Sequence, residues 1–143
     1  MANILIIGAG SMGTAFSFPC FDNGHSVTII GTHLENNFID QINLKRMHPT
    51  LKCEVPKNVK FLKFDKLVEE INKKVDLIAV AVISKGIEWA SIELSKILKS
   101  NIPILILTKG LAINNNNYEV LAHKMERLLK KNGIKETNIS AAG

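Results

Sequence analysis

A glycine-rich segment near the start of this 143-residue chain has residue types and spacing that could do chemistry. Gly8, Gly10 and Gly13 fit G-x-G-x-x-G. In that pattern the first glycine makes a tight turn, the second lets a pyrophosphate approach the backbone, and the third lets helix and strand pack closely. Because the first 44 residues contain no Lys or Arg, backbone amides and the Ser11 hydroxyl are left to hold the anion. The segment predicts a dinucleotide-binding loop, and the alternative is a tight turn in a sheet protein.

The end of the predicted second strand carries the residues that would select the cofactor. A fold that prefers NAD usually places Asp or Glu there, about 20 residues after the last glycine, whereas this chain has Gly31, Thr32 and His33. No carboxylate stands at the ribose 2′-hydroxyl position unless Glu35 reaches back, and no arginine is present for a 2′-phosphate. His33 is interpreted either as a contact to the ribose or 2′-phosphate or as an exposed loop histidine. The sequence leaves the choice between NAD and NADP open.

A second candidate is Lys109, which follows another apolar segment and precedes a glycine. Ligands of open α/β sheets bind beyond the carboxyl ends of the strands. A lysine at such a place could polarise a carbonyl oxygen or pair with a phosphate. The alternative is a solvated lysine in an ordinary strand-to-helix loop.

Alternating strand and helix patterns supply the frame for these residues. Continuous apolar runs predict strands buried on both faces of a parallel sheet at residues 4–7, 27–30, 59–62, 77–83, 104–107 and 139–142. The pattern as a whole predicts one Rossmann-type dinucleotide-binding domain over residues 1–143, a doubly wound, mostly parallel sheet in three α/β/α layers. Helical spacing between the strands is carried by Met12, Ala15 and Phe16; by Phe38, Ile39 and Ile42; by Leu67, Val68 and Ile71, with Asp65 as cap; by Ile87, Ala90, Leu94, Ile97 and Leu98; and by Tyr118, Leu121, Ala122, Met125, Leu128 and Leu129, with Asn116 as cap and Gly133 at the end.

Composition and charge narrow the function classes. Hydrophobic residues make up 46% and charged residues 22%, which is typical of a globular domain. The longest apolar run is too short to span a bilayer, and no basic leader precedes the first strand, so we expect a cytoplasmic protein. The net charge is +5, but the basic residues are scattered without interleaved aromatics, and no nucleic-acid partner is expected. Cys20 and Cys53 lack metal-ligand spacing, so we expect reduced thiols and no metal site.

Further segments match a known enzyme family in residue type and spacing. They are Asn23-Gly24-His25-x-Val27-Thr28, His48-Pro49-x-Leu51, Pro56-x-Asn58-Val59, Asp76-Leu77-Ile78-x-Val80-x-Val82 and Thr108-Lys109-Gly110-Leu111. Together with the glycine loop they resemble the N-terminal lobe of NAD(P)-dependent glycerol-3-phosphate dehydrogenase, over essentially the whole chain. The Thr-Lys-Gly-Leu segment is much more specific than the glycine loop, which many dehydrogenases share.

The resemblance implies an oxidoreductase that interconverts dihydroxyacetone phosphate and sn-glycerol 3-phosphate with NAD or NADP, for phospholipid biosynthesis. It implies that Ser11 and Met12 belong to the cofactor loop and that Lys109 meets both cofactor and substrate. Thr32 and His33 depart from the basic residues that many bacterial members carry there. The family continues into a mostly helical domain that supplies the proton-transferring lysine and most phosphate contacts. Because that domain is absent from this sequence, we expect the chain alone to be inactive.

Two other functions compete with this one: a stand-alone nucleotide-sensing module, and the lobe of another dinucleotide-dependent dehydrogenase. A further open question is Trp89, which with Ile92 falls off the apolar stripe of its helix. One interpretation makes Trp89 part of the core. The other places it at the border of the cofactor cleft or against the absent helical domain, and predicts a homodimer or aggregate formed through that face.

Overall fold

Strands and helices alternate along most of residues 1–142, which are the residues that the computed structural model describes. The strands are β1 (Asn3–Ile7), β2 (Ser26–Ile30), β3 (Met47–His48), β4 (Cys53–Glu54), β5 (Lys60–Leu62), β6 (Leu77–Val80), β7 (Ile104–Ile106), β8 (Leu111–Asn114), β9 (Asn117–Val120) and β10 (Ile139–Ala141). The helices are α1 (Ser11–Asp22), α2 (Asn36–Lys45), α3 (Leu67–Ile71), α4 (Gly86–Ile97) and α5 (Leu121–Lys131), with a 3₁₀ turn at Phe64–Lys66 before α3.

The central sheet has the order β10-β7-β6-β1-β2-β5, and every neighbouring pair in it is parallel. The chain begins at the centre with β1 and moves to one edge through β2 and β5. It then crosses to β6 and continues outward through β7 and β10. This is the strand order of a Rossmann fold, so the predicted doubly wound sheet is confirmed.

The two faces of the sheet bury different sets of side chains. In β1, Leu5 and Ile7 pack with residues of α3, α4 and α5 on one face. Ile4 and Ile6 pack with residues of α1 and α2 on the other face. Successive side chains of a strand point to opposite faces, so a strand that is covered on both sides must be apolar throughout. The three-layer α/β/α arrangement predicted from those apolar runs is confirmed.

The carboxyl ends of the four central strands lie side by side. Ile7 pairs with both Ile30 and Val80, and Val80 pairs with Ile106. β2 and β5 lie on one side of β1, and β6, β7 and β10 lie on the other, so this edge is a topological switch point, where such sheets bind ligands. The segments that meet there are the glycine loop and the residues directly after β2, β6 and β7.

The predicted last helix starts too early. Residues Asn117–Val120 form β9, which pairs with β8 in an antiparallel hairpin, and the helix begins at Leu121. Asn115 and Asn116 have φ of 49° and 63°, and two successive residues with positive φ make the tight turn that Asn favours in hairpins. The prediction of Asn116 as a helix cap is therefore wrong, and Tyr118 is 81% exposed on the hairpin. The predicted glycine at the far end is confirmed, since Gly133 has φ +93° after the last turn of α5.

The predicted apolar side of α1 is also wrong. Met12 and Ala15 are exposed and Phe16 is only partly buried. The buried side consists of small residues, namely Gly13, Thr14, Ser17 and Cys20. A helix that approaches the sheet this closely has no room for long side chains, so the usual stripe of large apolar residues is missing from its inner face.

The structure also bears on the Asp65 cap, on the two cysteines and on the length of the helices. Asp65 makes no capping hydrogen bond and lies within the 3₁₀ turn, so its role as a cap is wrong. Cys20 and Cys53 are both free thiols, but only Cys20 is buried, and burial raises the pKa of its thiol. Within residues 1–142, no helix combines the length and the apolar character that crossing a membrane requires.

Candidate functional site

The three glycines of the loop meet different surroundings. Gly8 has φ +109°, and a Cβ added to it would lie 2.6 Å from the Ala81 carbonyl oxygen. A Cβ on Gly13 would lie 2.3 Å from the Gly8 carbonyl oxygen, inside the contact between α1 and β1. A Cβ on Gly10 would meet no atom within 4 Å. The first and third glycines therefore serve the packing of the chain itself, whereas Gly10 presents bare backbone to open space.

The peptide groups of Ala9, between the first two glycines, are held from three directions. The Ala9 N–H donates to Oε2 of Glu35 at 3.1 Å, and the Thr32 N–H donates to the same oxygen at 2.7 Å. The Ala9 carbonyl accepts from Oγ1 of Thr14 at 3.2 Å and lies 3.1 Å from Nε2 of His48. Glu35 thus reaches back to the glycine loop, and the loop is fixed before any ligand arrives.

An open cleft runs along the carboxyl edge of the sheet and divides into two halves at Gly10 and residues 81–83, which line both. Each half encloses about 390 Å³, which lies in the usual range for small-molecule pockets. The half beyond β7 is also lined by Ser11, Met12, Ser84, Leu107, Thr108 and Lys109. The half beyond β2 is also lined by Thr32, His33, Leu34, Glu35, Lys85, Gly86 and Trp89. The candidate site residues that border this cleft are Gly10, Ser11, Met12, Thr32, His33 and Lys109. Gly8 and Gly13 do not line it.

Lys109 is the sole ionisable side chain that lines the half beyond β7, among the residues that the structure describes. The turn that carries it is fixed to the neighbouring strand, because Oγ1 of Thr108 donates to the Val82 carbonyl at 2.6 Å. The following residue, Gly110, has φ +124°. Lys109 is exposed, and within residues 1–142 it forms no salt bridge with a carboxylate. Its ammonium group is available to an anionic or carbonyl-bearing ligand.

An aromatic group borders the half beyond β2. The ring centroid of Trp89 lies 5.0 Å from that of His33 and 5.2 Å from that of Phe64. Trp89 is half-buried: it packs partly against the core and partly lines the cleft. Of the two interpretations of Trp89, the structure favours a residue at the cleft border. His33 is an exposed loop histidine that lines the cleft, and its contact with a ribose or a 2′-phosphate stays a prediction.

Sequence reasoning missed His48 as part of this site. It comes from the short β3–β4 hairpin, 39 residues after the alanine that it contacts. No local pattern predicts that contact, because neither strand of the hairpin is longer than two residues. The one available signal was a lone histidine in the His-Pro-x-Leu segment.

Comparisons with known proteins agree with this geometry. The family model described as NAD-dependent glycerol-3-phosphate dehydrogenase N-terminus matches residues 3–140. The NADP(+)-dependent glycerol-3-phosphate dehydrogenase of Archaeoglobus fulgidus is 26% identical over 140 residues, which are 98% of this chain and 40% of that protein. The glycerol-3-phosphate dehydrogenase [NAD(P)+] of an Exiguobacterium species is 30% identical over 128 residues, 88% of this chain and 37% of that protein.

Among solved structures, the glycerol-3-phosphate dehydrogenase of Coxiella burnetii superposes with a TM-score of 0.77 at 18% identity, over 98% of this chain and 40% of that one. Similarity at that identity establishes the fold alone. The chain spans about two fifths of the length of the relatives that it matches.

Proposed function

The chain belongs to the NAD-dependent glycerol-3-phosphate dehydrogenase N-terminal family, and we propose that residues 1–143 form the NAD(P)-binding lobe of such an enzyme. The observation that carries this proposal is the position of Gly10. It is the one loop glycine whose missing side chain serves no packing, and it lies where the two halves of the cleft meet. The pyrophosphate of a dinucleotide joins its two nucleoside halves, so it needs open backbone at the point where the two halves of the cleft meet.

The residues that would hold the dinucleotide follow from the two halves of the cleft. The pyrophosphate would lie on the backbone at Gly10, Ser11 and Met12, at the amino terminus of α1, where free N–H groups and the helix dipole favour an anion. Thr32 and His33 line the half that would take the adenosine. The half beyond β7 would take the nicotinamide, which supplies or accepts the hydride when bound. Both NAD and NADP fit this proposal.

We assign to Lys109 the contact with the reacting part of the substrate. The proposed substrates are dihydroxyacetone phosphate and sn-glycerol 3-phosphate. The Lys109 ammonium can polarise the carbonyl of the first or pair with the phosphate of either. A single ammonium cannot do that and also transfer a proton and hold the whole phosphate. We therefore propose that full turnover needs groups beyond those of residues 1–143, and that a helical domain supplies them.

The physiological setting is proposed from the family. The enzyme would act in the cytoplasm and supply glycerol 3-phosphate for phospholipid biosynthesis, with no nucleic-acid partner. Self-association, as a homodimer, is proposed through the exposed apolar residues of the chain. They include the hairpin residues Leu111, Ile113, Tyr118 and Val120, which share one face of β8–β9. The half-buried Trp89 at the cleft is a further candidate for this contact.

A fluorescence titration tests dinucleotide binding directly. Trp89 is the sole tryptophan of the chain and lines the cleft, so NADH and NADPH should each be added while its emission is followed. Saturable quenching, accompanied by sensitised emission from the reduced nicotinamide, is expected for the preferred cofactor. Emission that changes with neither cofactor would contradict the proposal.

The role of Lys109 is tested with a matched pair of variants. Dihydroxyacetone phosphate is expected to raise the melting temperature of the NADH complex. Lys109→Met should reduce that increase, whereas Lys124→Met, on α5 away from the cleft, should not. The measurement is the melting temperature of the NADH complex with and without the triose phosphate. Equal responses of the two variants would remove Lys109 from the substrate site.

A further inference from the structure

The side chain of His48 is fully buried, and both of its ring nitrogens have partners. The Leu51 N–H donates to Nδ1 at 3.1 Å, and Nε2 lies 3.1 Å from the Ala9 carbonyl oxygen. A backbone N–H can only donate, so Nδ1 carries no proton. The proton must then sit on Nε2, which donates to the Ala9 carbonyl. His48 is therefore neutral and fixed in one tautomer.

The hydrogen bond to Ala9 determines where the next backbone N–H points. A peptide bond is planar and trans, so the Ala9 carbonyl and the Gly10 N–H lie in one plane and point in opposite directions. When His48 holds the carbonyl, the Gly10 N–H is aimed away from the hairpin. Gly10 is one of the residues that line both halves of the cleft.

The surroundings of the ring keep it in this orientation. Phe38 of α2 meets the ring edge-on, with centroids 5.2 Å apart and planes at 80°. The hairpin turn that carries Leu51 is closed by the Lys52 N–H, which donates to the His48 carbonyl at 2.9 Å. The ring is thus fixed by its own hairpin and by α2, independently of the glycine loop that it contacts.

We propose that neutral His48 is a positioning residue for the dinucleotide: its Nε2–H, together with Oγ1 of Thr14 on the same carbonyl oxygen, holds the Ala9–Gly10 peptide in the orientation that receives the pyrophosphate. This inference rests on the proposed function, although His48 itself touches no ligand. A loop that is already ordered loses less conformational freedom on binding, and preorganisation raises affinity in that way. Loss of one such hydrogen bond should weaken dinucleotide binding by about tenfold.

The test compares two substitutions of His48 with a control elsewhere. His48→Leu fills the space without a donor, whereas His48→Gln places an amide N–H near the position of Nε2. The control is Ser91→Ala, which removes a buried hydrogen bond from Oγ to the Ile87 carbonyl at 2.7 Å within α4. Each variant and the wild type are titrated with NADH and NADPH by calorimetry, and each melting temperature is measured.

We expect His48→Leu to weaken binding about tenfold, His48→Gln to restore most of that loss, and Ser91→Ala to lower the melting temperature with unchanged affinity. Equal affinity of the wild type and His48→Leu would overturn the inference while leaving the proposed function intact. So would a loss that His48→Gln does not reduce, because it would point to altered packing. A wild type that binds neither cofactor would refute the proposed function itself.

A spectroscopic measurement on the unmodified chain covers the case in which a variant fails to fold. The ¹⁵N shifts of the His48 ring should identify a protonated Nε2 and an unprotonated Nδ1. The opposite tautomer, or a doubly protonated ring at neutral pH, would overturn the inference.

Discussion

Adding one methyl group at Gly13 should separate the structural part of the glycine loop from its binding part. In Gly13→Ala the new Cβ would lie 2.3 Å from the Gly8 carbonyl oxygen, 3.0 Å from Cβ of Ala81 and 3.2 Å from Cγ2 of Ile6. The first neighbour is a backbone atom and the second is a β-carbon, so neither of these two can move aside by rotation of a side chain. The helix α1 must therefore move away from β1, which disrupts packing along its whole inner face.

The magnitude follows from two opposing effects. Overpacking of this kind costs about 3 kcal/mol, the upper end of the usual range, because the obstacle is rigid. Ala in a helix gains about 1 kcal/mol over Gly, so the free energy of unfolding should fall by about 2 kcal/mol. At about 4 °C per kcal/mol for a chain of this size, the melting temperature should fall by about 8 °C.

The matched control is Gly10→Ala, whose Cβ meets nothing within 4 Å. Its free energy of unfolding should stay within about 0.5 kcal/mol of the wild type. Urea denaturation followed by circular dichroism measures both variants. A Gly13→Ala chain as stable as the wild type would refute the argument that the third glycine is required for contact between helix and strand.

Three further predictions concern other parts of the chain. Arg127 donates to both carboxylate oxygens of Glu119 at 2.9 Å, and this hydrogen bonding lowers the pKa of Glu119 in the folded state. The pair therefore stabilises the fold at pH values above the unfolded-state pKa of Glu119. That stabilisation is lost as the pH falls through the lower folded-state pKa. Arg127→Met should therefore lower the melting temperature at about pH 7 but not at about pH 2, and an equal loss at both values would contradict this. Trp89→Lys should keep cooperative unfolding and reduce self-association in sedimentation experiments, whereas an unfolded variant would place Trp89 in the core. A steady-state assay of dihydroxyacetone phosphate reduction by this chain should show negligible turnover, and an ordinary rate of about 10 per second would show that no further domain is needed.

The sheet could be predicted because burial on both faces leaves a simple signal in the sequence. Continuous apolar runs predict all six strands of the sheet, and the predicted limits differ from those in the structure by at most three residues, as where β6 ends at Val80 instead of residue 83. The separate roles of Gly8 and Gly13 were also predictable, since the G-x-G-x-x-G pattern states which glycine makes the turn and which makes the close contact.

The features that could not be predicted depend on contacts distant in sequence or on packing that reverses the usual pattern. Glu35 and His48 reach Ala9 across 26 and 39 residues, and neither contact has a local signature. The inner face of α1 is built from small residues, so a search for large apolar side chains selects its outer face. The sequence does not distinguish the hairpin turn at Asn115 and Asn116 from a helix cap, because Asn is favoured both at helix caps and in turns with positive φ.

Calorimetric titration of NADH and NADPH into the wild type and Gly10→Val tests the central claim most directly. A Cβ at Gly10 meets no atom within 4 Å in the folded chain, so we expect Gly10→Val to fold, whereas its side chain would occupy the proposed position of the pyrophosphate. We predict saturable binding of at least one cofactor by the wild type and none by Gly10→Val. Equal binding by the two proteins would show that the glycine loop is not the dinucleotide site.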